Sequence, residues 1–226
     1  MTAIVLQARL DSSRLPGKAL LNLEDKPVIL RVMQALSDIP CDLKILACTE
    51  DSLSSFSPLA EEAGFSVFAG PKDDVLERYC RVIRKYSIDR VIRATGDNPF
   101  VFADAAALIN SEAVSLNADY AGYLNLPYGA GVESVAACSL LRAADEASLQ
   151  NEREHVCPYL YNHPEIFKIH RPQAPDYWNF PDIRLTIDTQ KDFDNASILY
   201  TALKNDKKRY NGSSIINVYR NCFDQS

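Results

Sequence analysis

The stretch Ala3-Ile4-Val5-Leu6-Gln7-Ala8-Arg9-Leu10-Asp11-Ser12-Ser13-Arg14-Leu15-Pro16-Gly17-Lys18 decides how this chain reads. Its first four residues form an unbroken apolar run, the pattern of a strand buried on both faces. Three cations (Arg9, Arg14, Lys18), two hydroxyls (Ser12, Ser13) and a Pro16-Gly17 turn follow at once. A loop leaving the carboxyl end of a first parallel strand is where α/β folds bind ligands. Arg, Lys, Ser and free backbone N–H groups suit such a loop to a polyphosphate. The competing interpretation is a solvated basic loop. The position directly after a strand and the spacing of the cations favour the phosphate role.

Two common nucleotide loops are excluded. Ala19 follows Lys18 where a P-loop requires Ser or Thr, and Ser12 stands where its first glycine belongs. No G-x-G-x-x-G follows the strand, so a dinucleotide turn is not expected either.

Outward from this loop, 226 residues suffice for one large α/β domain without staples. Hydrophobic content of 47% and charged content of 24% are ordinary for a globular chain. A net charge of −6 argues against a general nucleic-acid binder and makes the basic loop a local site in an acidic protein. The six cysteines show no C-x-x-C and no ligand spacing with histidine, so free thiols in a reducing compartment are expected rather than zinc. With no long apolar stretch and no charged leader, the expectation is a cytoplasmic protein with no membrane partner.

Strand and helix signals alternate through the first half. Strands are predicted over 3–8, 43–48, 66–69 and 89–94, and helices near 28–37, 52–63 (closed by Gly64) and from Asp73 or Asp74 to about Tyr86. Such β-α repetition predicts a mostly parallel sheet covered by helices. The second half is less regular. Helices are expected over 103–115, 139–148, 151–162 and 191–203, and strands over 119–123, 132–136, 166–170 and 183–187.

Strand 89–94 empties into Thr95-Gly96-Asp97-Asn98-Pro99, which holds Asp97 at the sheet's carboxyl edge. Arg184-Leu185-Thr186-Ile187-Asp188-Thr189 repeats the pattern, an apolar strand ending in Asp188. Mg²⁺ takes one or two carboxylates plus phosphate oxygens and water, and these aspartates have that position. Asp97 as a plain turn residue and Asp188 as a helix cap are the competing interpretations. Together with the basic loop they fit metal-assisted phosphoryl or nucleotidyl transfer.

These motifs resemble the CTP-dependent sugar cytidylyltransferases, most closely the spore coat polysaccharide biosynthesis protein F group. The 3-deoxy-manno-octulosonate and acylneuraminate cytidylyltransferases are broader relatives. The likeness rests on Leu6 to Lys18, Asp73-Asp74-Val75-Leu76-Glu77-Arg78-Tyr79, Arg93 to Pro99, Glu152-Arg153-Glu154-His155-Val156 and Arg184 to Thr189, in that order. It implies a Rossmann-like three-layer α/β nucleotidyltransferase domain over 1–226, with an acceptor-binding or dimerisation insertion within 119–183. It implies Mg²⁺-dependent transfer of CMP from CTP to a sugar-type acceptor, pyrophosphate release and a homodimer.

In that family's pattern Arg9, Arg14 and Lys18 would be catalytic. Gln7, Ala8, Ser12, Ser13 and Asp74 would join them around the nucleotide, although Asp73 and Asp74 also read as helix caps. Asp97 and Asp188 would hold Mg²⁺. Glu133, Arg153 and His155 are the candidate acceptor contacts, with Asn125, Tyr128 and His170 as further candidates. Trp178 reads as a sugar platform, a core residue or a dimer contact. The acceptor itself, whether a 2-keto sugar acid, a sugar phosphate or a phosphonate, is open. A glycosyltransferase is the alternative function, weakened because Gly96-Asp97-Asn98 lacks the second Asp of D-x-D. A non-catalytic nucleotide-binding protein is the other alternative, and it predicts the loss of a charged site member.

Overall fold

The computed structural model describes residues 1–204, 206 and 210–224. Strand β1 (Thr2–Gln7) is central, and its core residues Ala3, Ile4, Val5 and Leu6 are all fully buried. Side chains alternate across a strand, so Ile4 and Leu6 enter one apolar layer while Ala3 and Val5 enter the other. That two-sided burial is why the run contains no polar residue. Short strands β2 (Asn22–Leu23) and β3 (Lys26–Pro27) form a separate two-stranded ribbon.

The main sheet adds β4 (Leu43–Thr49), β5 (Ser66–Gly70), β6 (Arg90–Thr95), β7 (Tyr120–Ala121), β8 (Glu133–Ala136) and β9 (Ile169–His170). Its order is β5-β4-β1-β6-β8-β7-β9. Strands β5, β4, β1 and β6 are mutually parallel, and β8 runs antiparallel against β6 and β7. The order reverses at β1, and ligands bind at such a switch point outside the carboxyl ends of the strands. The register sets Gln7 opposite both Ala47 and Thr95, so the loops after β1 and β6 leave the same edge side by side.

Helices cover both faces. Helices α1 (Val28–Leu36), α2 (Leu53–Glu62), α4 (Ala103–Ser115), α8 (Gln190–Leu203) and α9 (Gly212–Phe223) pack on the Ile4/Leu6 side. Helices α3 (Val75–Tyr86), α5 (Ala137–Glu146) and α7 (Pro158–Asn162) pack on the Ala3/Val5 side, with α6 (Gln150–His155) leading into α7. Helix α3 shows why such elements form. Asp74 caps it by accepting from the Glu77 N–H at 2.9 Å, and Leu76, Tyr79, Cys80 and Ile83 make one buried stripe. Arg84 and Lys85 in its last turn complement the dipole. Among the described residues no helix is long and apolar enough to cross a membrane.

The second half departs from the expected elements in four places. The 151–162 helix is two helices, broken where Val156 takes a positive φ of 73° and Pro158 starts a new first turn. The 166–170 strand pairs only at Ile169–His170, because its partner β7 is itself two residues long. The 119–123 strand contracts to that same β7. The 183–187 segment is not a strand of the sheet. It is extended, but its backbone bonds go to loops: Tyr128 N–H donates to the Ile183 carbonyl (2.8 Å), Leu185 N–H to Tyr128 (2.8 Å) and Ile187 N–H to Asp97 (2.9 Å).

Helix α9 was not anticipated. It is tied down by Asp104, which accepts from Gly212 N–H at 3.1 Å and from the Asn211 amide at 2.6 Å. Gly212 is buried against Phe102 and Trp178, closely enough that a Cβ there would stand 2.5 Å from the Phe102 ring. Asp104→Ala strands a buried N–H and is expected to cost about 1–3 kcal/mol. Denaturant unfolding checks this as a lowered midpoint with an unchanged slope.

Candidate active site

The loop after β1 is built to aim its cations back over the sheet edge. Ala8 N–H still bonds the Ala47 carbonyl at 3.2 Å, extending the β1–β4 pairing by one residue. Leu10 N–H then donates to the Ser52 hydroxyl, itself in a network with Thr49 and Asp51. Gly17 takes the left-handed conformation (φ 66°), and a 3₁₀ turn from Lys18 to Leu20 follows. The glycine turn swings Lys18 inward, so that its side chain is only 15% exposed.

Lys18 is the meeting point. Its Nζ donates to Asp97 Oδ2 at 3.0 Å, to Asp188 Oδ1 at 3.0 Å and to the Ile187 carbonyl at 2.7 Å. Arg14 reaches the same Asp188 Oδ1 at 2.9 Å. The second oxygen of each carboxylate is anchored elsewhere. Thr95 Oγ1 donates to Asp97 Oδ1 at 2.8 Å, and Arg184 Nη2 donates to Asp188 Oδ2 at 2.7 Å. Gly96 permits the loop's close approach: a Cβ there would lie 2.9 Å from Ala8 Cβ and 3.0 Å from Ile29 Cδ1.

These groups line a cleft of about 690 Å³. Gln7, Ala8, Arg9, Ser12, Ser13, Arg14 and Lys18 form its basic side, with Asp97 and Asp188 at its base. Arg93 of β6 and Glu133 of β8 line it too, as do Tyr128, Tyr161 and His155. Arg93 pairs with Glu133 and donates from Nε to Gln7 Oε1 at 3.2 Å, while Tyr120 donates its hydroxyl to Glu133 at 2.8 Å.

The match to known proteins follows this geometry. The family model described as cytidylyltransferase matches residues 3–216. The chain belongs to the cytidylyltransferase family. It is 34% identical over 206 residues to the spore coat polysaccharide biosynthesis protein SpsF of Bacillus subtilis, covering 87% of this chain and 85% of that one. Among solved structures it is similar to a cytidylyltransferase from Leptospira borgpetersenii, with a TM-score of 0.88, 25% identity and coverage of 98% and 94% of the two chains. A CMP:2-keto-3-deoxy-manno-octonic acid synthetase complexed with CTP shares the fold, with a TM-score of 0.69 at 16% identity over 88% and 98%. So does Rv0371C of Mycobacterium tuberculosis in complex with manganese, with a TM-score of 0.59 at 16% identity over 86% and 96%. The protein is therefore a nucleotidyltransferase enzyme of the three-layer α/β class.

Not every expected site residue of this cytidylyltransferase lies in the cleft. Asp74 and Arg153 do not line it. Asp74 caps α3 and also accepts from Arg153 Nε at 2.7 Å, while Arg153 Nη1 donates to the Ala144 and Ala147 carbonyls at 3.0 Å each. Each is thereby consumed in joining α3, α5 and α6. Asn125 is bonded to Gln173 and His170 to Glu112, both outside the cleft. Trp178 is a core residue at 4% exposure. The reading missed Arg78, Thr95, Asn98, Arg184 and Glu154. All five lay in motifs already singled out, and Arg78, Thr95, Asn98 and Glu154 line the cleft.

The donor set fits a hard divalent cation. Asp97 and Asp188 point one oxygen each at a single nitrogen, so the two carboxylates share one point facing the cleft. Among the described residues no cluster of three or more His, Cys, Asp or Glu side chains is arranged around a metal. Two carboxylates, with phosphate oxygens and water completing the shell, are what Mg²⁺ accepts. The cysteines show no such arrangement. All six are free, and burial pushes the Cys48 and Cys80 thiols up to about 11 and about 12.

Burial alone would raise the Asp188 carboxyl, but the Lys18 bond and the charges of Lys18, Arg14 and Arg184 outweigh it and hold it below the usual range. Asp192 supports this arrangement. It accepts from Arg184 Nε at 2.8 Å and from the Asp188 and Thr189 N–H groups at 3.0 and 2.9 Å. Burial opposes its ionisation, yet those donors hold its carboxyl at about 2. A folded carboxyl depressed below its unfolded value stabilises fully above the ordinary carboxylate range. That contribution fades as pH falls from about 4 toward about 2. Asp192→Asn is expected to lower the unfolding free energy by about 2 kcal/mol at pH 7 and far less near pH 2. Unfolding measured at both values checks it.

Proposed function

We propose that this enzyme transfers CMP from CTP to a sugar-type acceptor with release of pyrophosphate, using Mg²⁺, in the synthesis of a surface polysaccharide or glycoconjugate. The observation that carries the reading is the convergence of Asp97, Asp188 and Lys18 at the foot of a loop that also brings Arg9, Ser12, Ser13 and Arg14 to the same cleft. The CTP carried by a structural relative and the manganese carried by another support the nucleotide and the divalent metal.

In this reading the triphosphate lies along the loop after β1. Arg9, Arg14, Lys18 and the Ser12 and Ser13 hydroxyls hold its oxygens, and the end of β1 at Gln7 and Ala8 borders the nucleotide. The acceptor rests against Glu133 and His155. Its oxygen attacks the α-phosphorus in line, the bond to the bridging β-phosphate oxygen breaks, and pyrophosphate departs. Charge grows on the leaving group as that bond breaks, and the cations of Arg9, Arg14 and Lys18 meet it. Mg²⁺ held by Asp97 and Asp188 would supply further neutralisation of phosphoryl oxygens. The segment 119–183, in which Ile166 and Tyr177 are exposed, is the acceptor-binding or homodimer contact of this reading. The same reading sets the reaction in the cytoplasm.

Thermal unfolding with CTP, UTP, ATP or GTP, each with Mg²⁺, tests the base. A hundredfold excess of a ligand specific for the native state adds about 2.7 kcal/mol. CTP is expected to give the largest shift, and a larger shift with another nucleotide overturns the base assignment. With CTP and a productive acceptor, Asp97→Asn is expected to slow pyrophosphate release about 10²–10³-fold, the loss seen when one preorganised stabiliser is removed. Turnover near the wild-type rate removes Asp97 from the metal site.

A further inference from the structure

An ammonium group has three N–H donors, and Lys18 has spent all three, on Asp97, Asp188 and the Ile187 carbonyl. It has none left for a phosphate oxygen. The carboxylates are divided in a matching way. Asp97 keeps Oδ1 on the Thr95 hydroxyl and gives Oδ2 to Lys18. Asp188 keeps Oδ2 on Arg184 and gives Oδ1 to Lys18 and Arg14. Each aspartate therefore has one anchored oxygen and one oxygen committed to Lys18. A divalent cation on the two Lys18-bound oxygens would stand beside the ammonium, a like-charge contact that is costly in a partly buried site.

We propose that Lys18 is an exchangeable counter-cation: it holds the metal-binding oxygens of Asp97 and Asp188 until a nucleotide's phosphates draw it away. The metal consequently enters with the nucleotide and not ahead of it. This rests on the reading above that the two aspartates hold the metal. The anchors on Thr95 and Arg184 explain why the carboxylates stay in place when Lys18 leaves. Lys18 thus has a second role besides contacting the triphosphate, which is to suppress futile occupation by free metal and to keep two like charges from repelling each other in the empty cleft.

The test is Mn²⁺ binding to the nucleotide-free full chain, read from the free-ion electron paramagnetic resonance signal. Wild-type protein is expected to bind Mn²⁺ alone weakly. Lys18→Met is expected to bind it about tenfold more tightly or better, with no nucleotide present. Lys18→Gln is the second neutral variant, used where Lys18→Met does not fold. Arg14→Met removes the same charge from Asp188 without removing the bridge, and a smaller gain is expected. Asp97→Asn in the Lys18→Met background is expected to abolish the gain. The proposal is overturned if neutral Lys18 variants bind Mn²⁺ no tighter than wild type. It is equally overturned if Arg14→Met gains as much, or if the gain survives Asp97→Asn. The cytidylyltransferase reading is scored separately, by the CTP-dependent thermal shift of wild-type protein, so either can fail without the other.

Discussion

Two carboxylates facing one point repel each other, and in a partly buried site that repulsion is not screened away. The convergence of Asp97 and Asp188 therefore depends on the cations set against them, Lys18 between the pair and Arg14 and Arg184 on Asp188. The partners come from three separate stretches of chain. Lys18 and Arg14 ride the loop after β1, Asp97 the loop after β6, and Arg184 and Asp188 the segment before α8. Parallel pairing of β1 with β6 is what sets the first two loops abreast, since Gln7 and Thr95 are paired in register. The third arrives because Ile187 N–H bonds the Asp97 carbonyl and because the Thr189–Asp192 capping box starts α8 immediately after Asp188. The sheet edge, a loop docking and a helix cap thus combine to place one salt-bridged cluster.

Much of this was legible in the residues. The unbroken run Ala3–Leu6 named a strand buried on both faces, the periodic apolar positions of α1 named its helix, and the opening aspartates and closing cations named α3. Asp97 and Asp188 were legible as acids ending extended segments. The misreadings have physical causes. Ile183, Leu185 and Ile187 alternate as a strand does, and all three are buried. Alternation reports burial of one face, however, and is silent on whether the backbone pairs with a sheet or with loops. The break after α6 turns on a positive φ at Val156, a conformation that no β-branched residue advertises. Helix α9 did carry a signal, an Asn211 cap followed by Ile215, Ile216 and Tyr219 at helical spacing. Arg184 and Thr95 stood in the quoted motifs, but their service to the aspartates did not show there, because it depends on which oxygen each one binds.

The cleft is electrically two-sided, and the difference bears on how it treats a donor and an acceptor. Its β1 side concentrates charge, with the cations Arg9, Arg14 and Lys18 set against Asp11, Asp97 and Asp188. Its β6–β8 side is built on the Arg93–Glu133 pair, which cancels itself. Burial disfavours the Arg93 cation, but the Glu133 charge more than compensates and keeps it protonated. Burial and the same carboxylate hold the proton on the Tyr120 hydroxyl. Neither group changes charge near neutral pH, so the Arg93–Glu133 pair and the Tyr120 hydroxyl behind it offer a fixed set of donors and acceptors. Gln7 joins it, since it lines the cleft and its Oε1 accepts from Arg93. A wall of that kind discriminates by hydrogen-bond geometry, because an unmatched partner leaves buried polar groups unpaired. In the proposed reaction, binding strength therefore resides in the phosphates at one side, and recognition of the acceptor's hydroxyl pattern at the other.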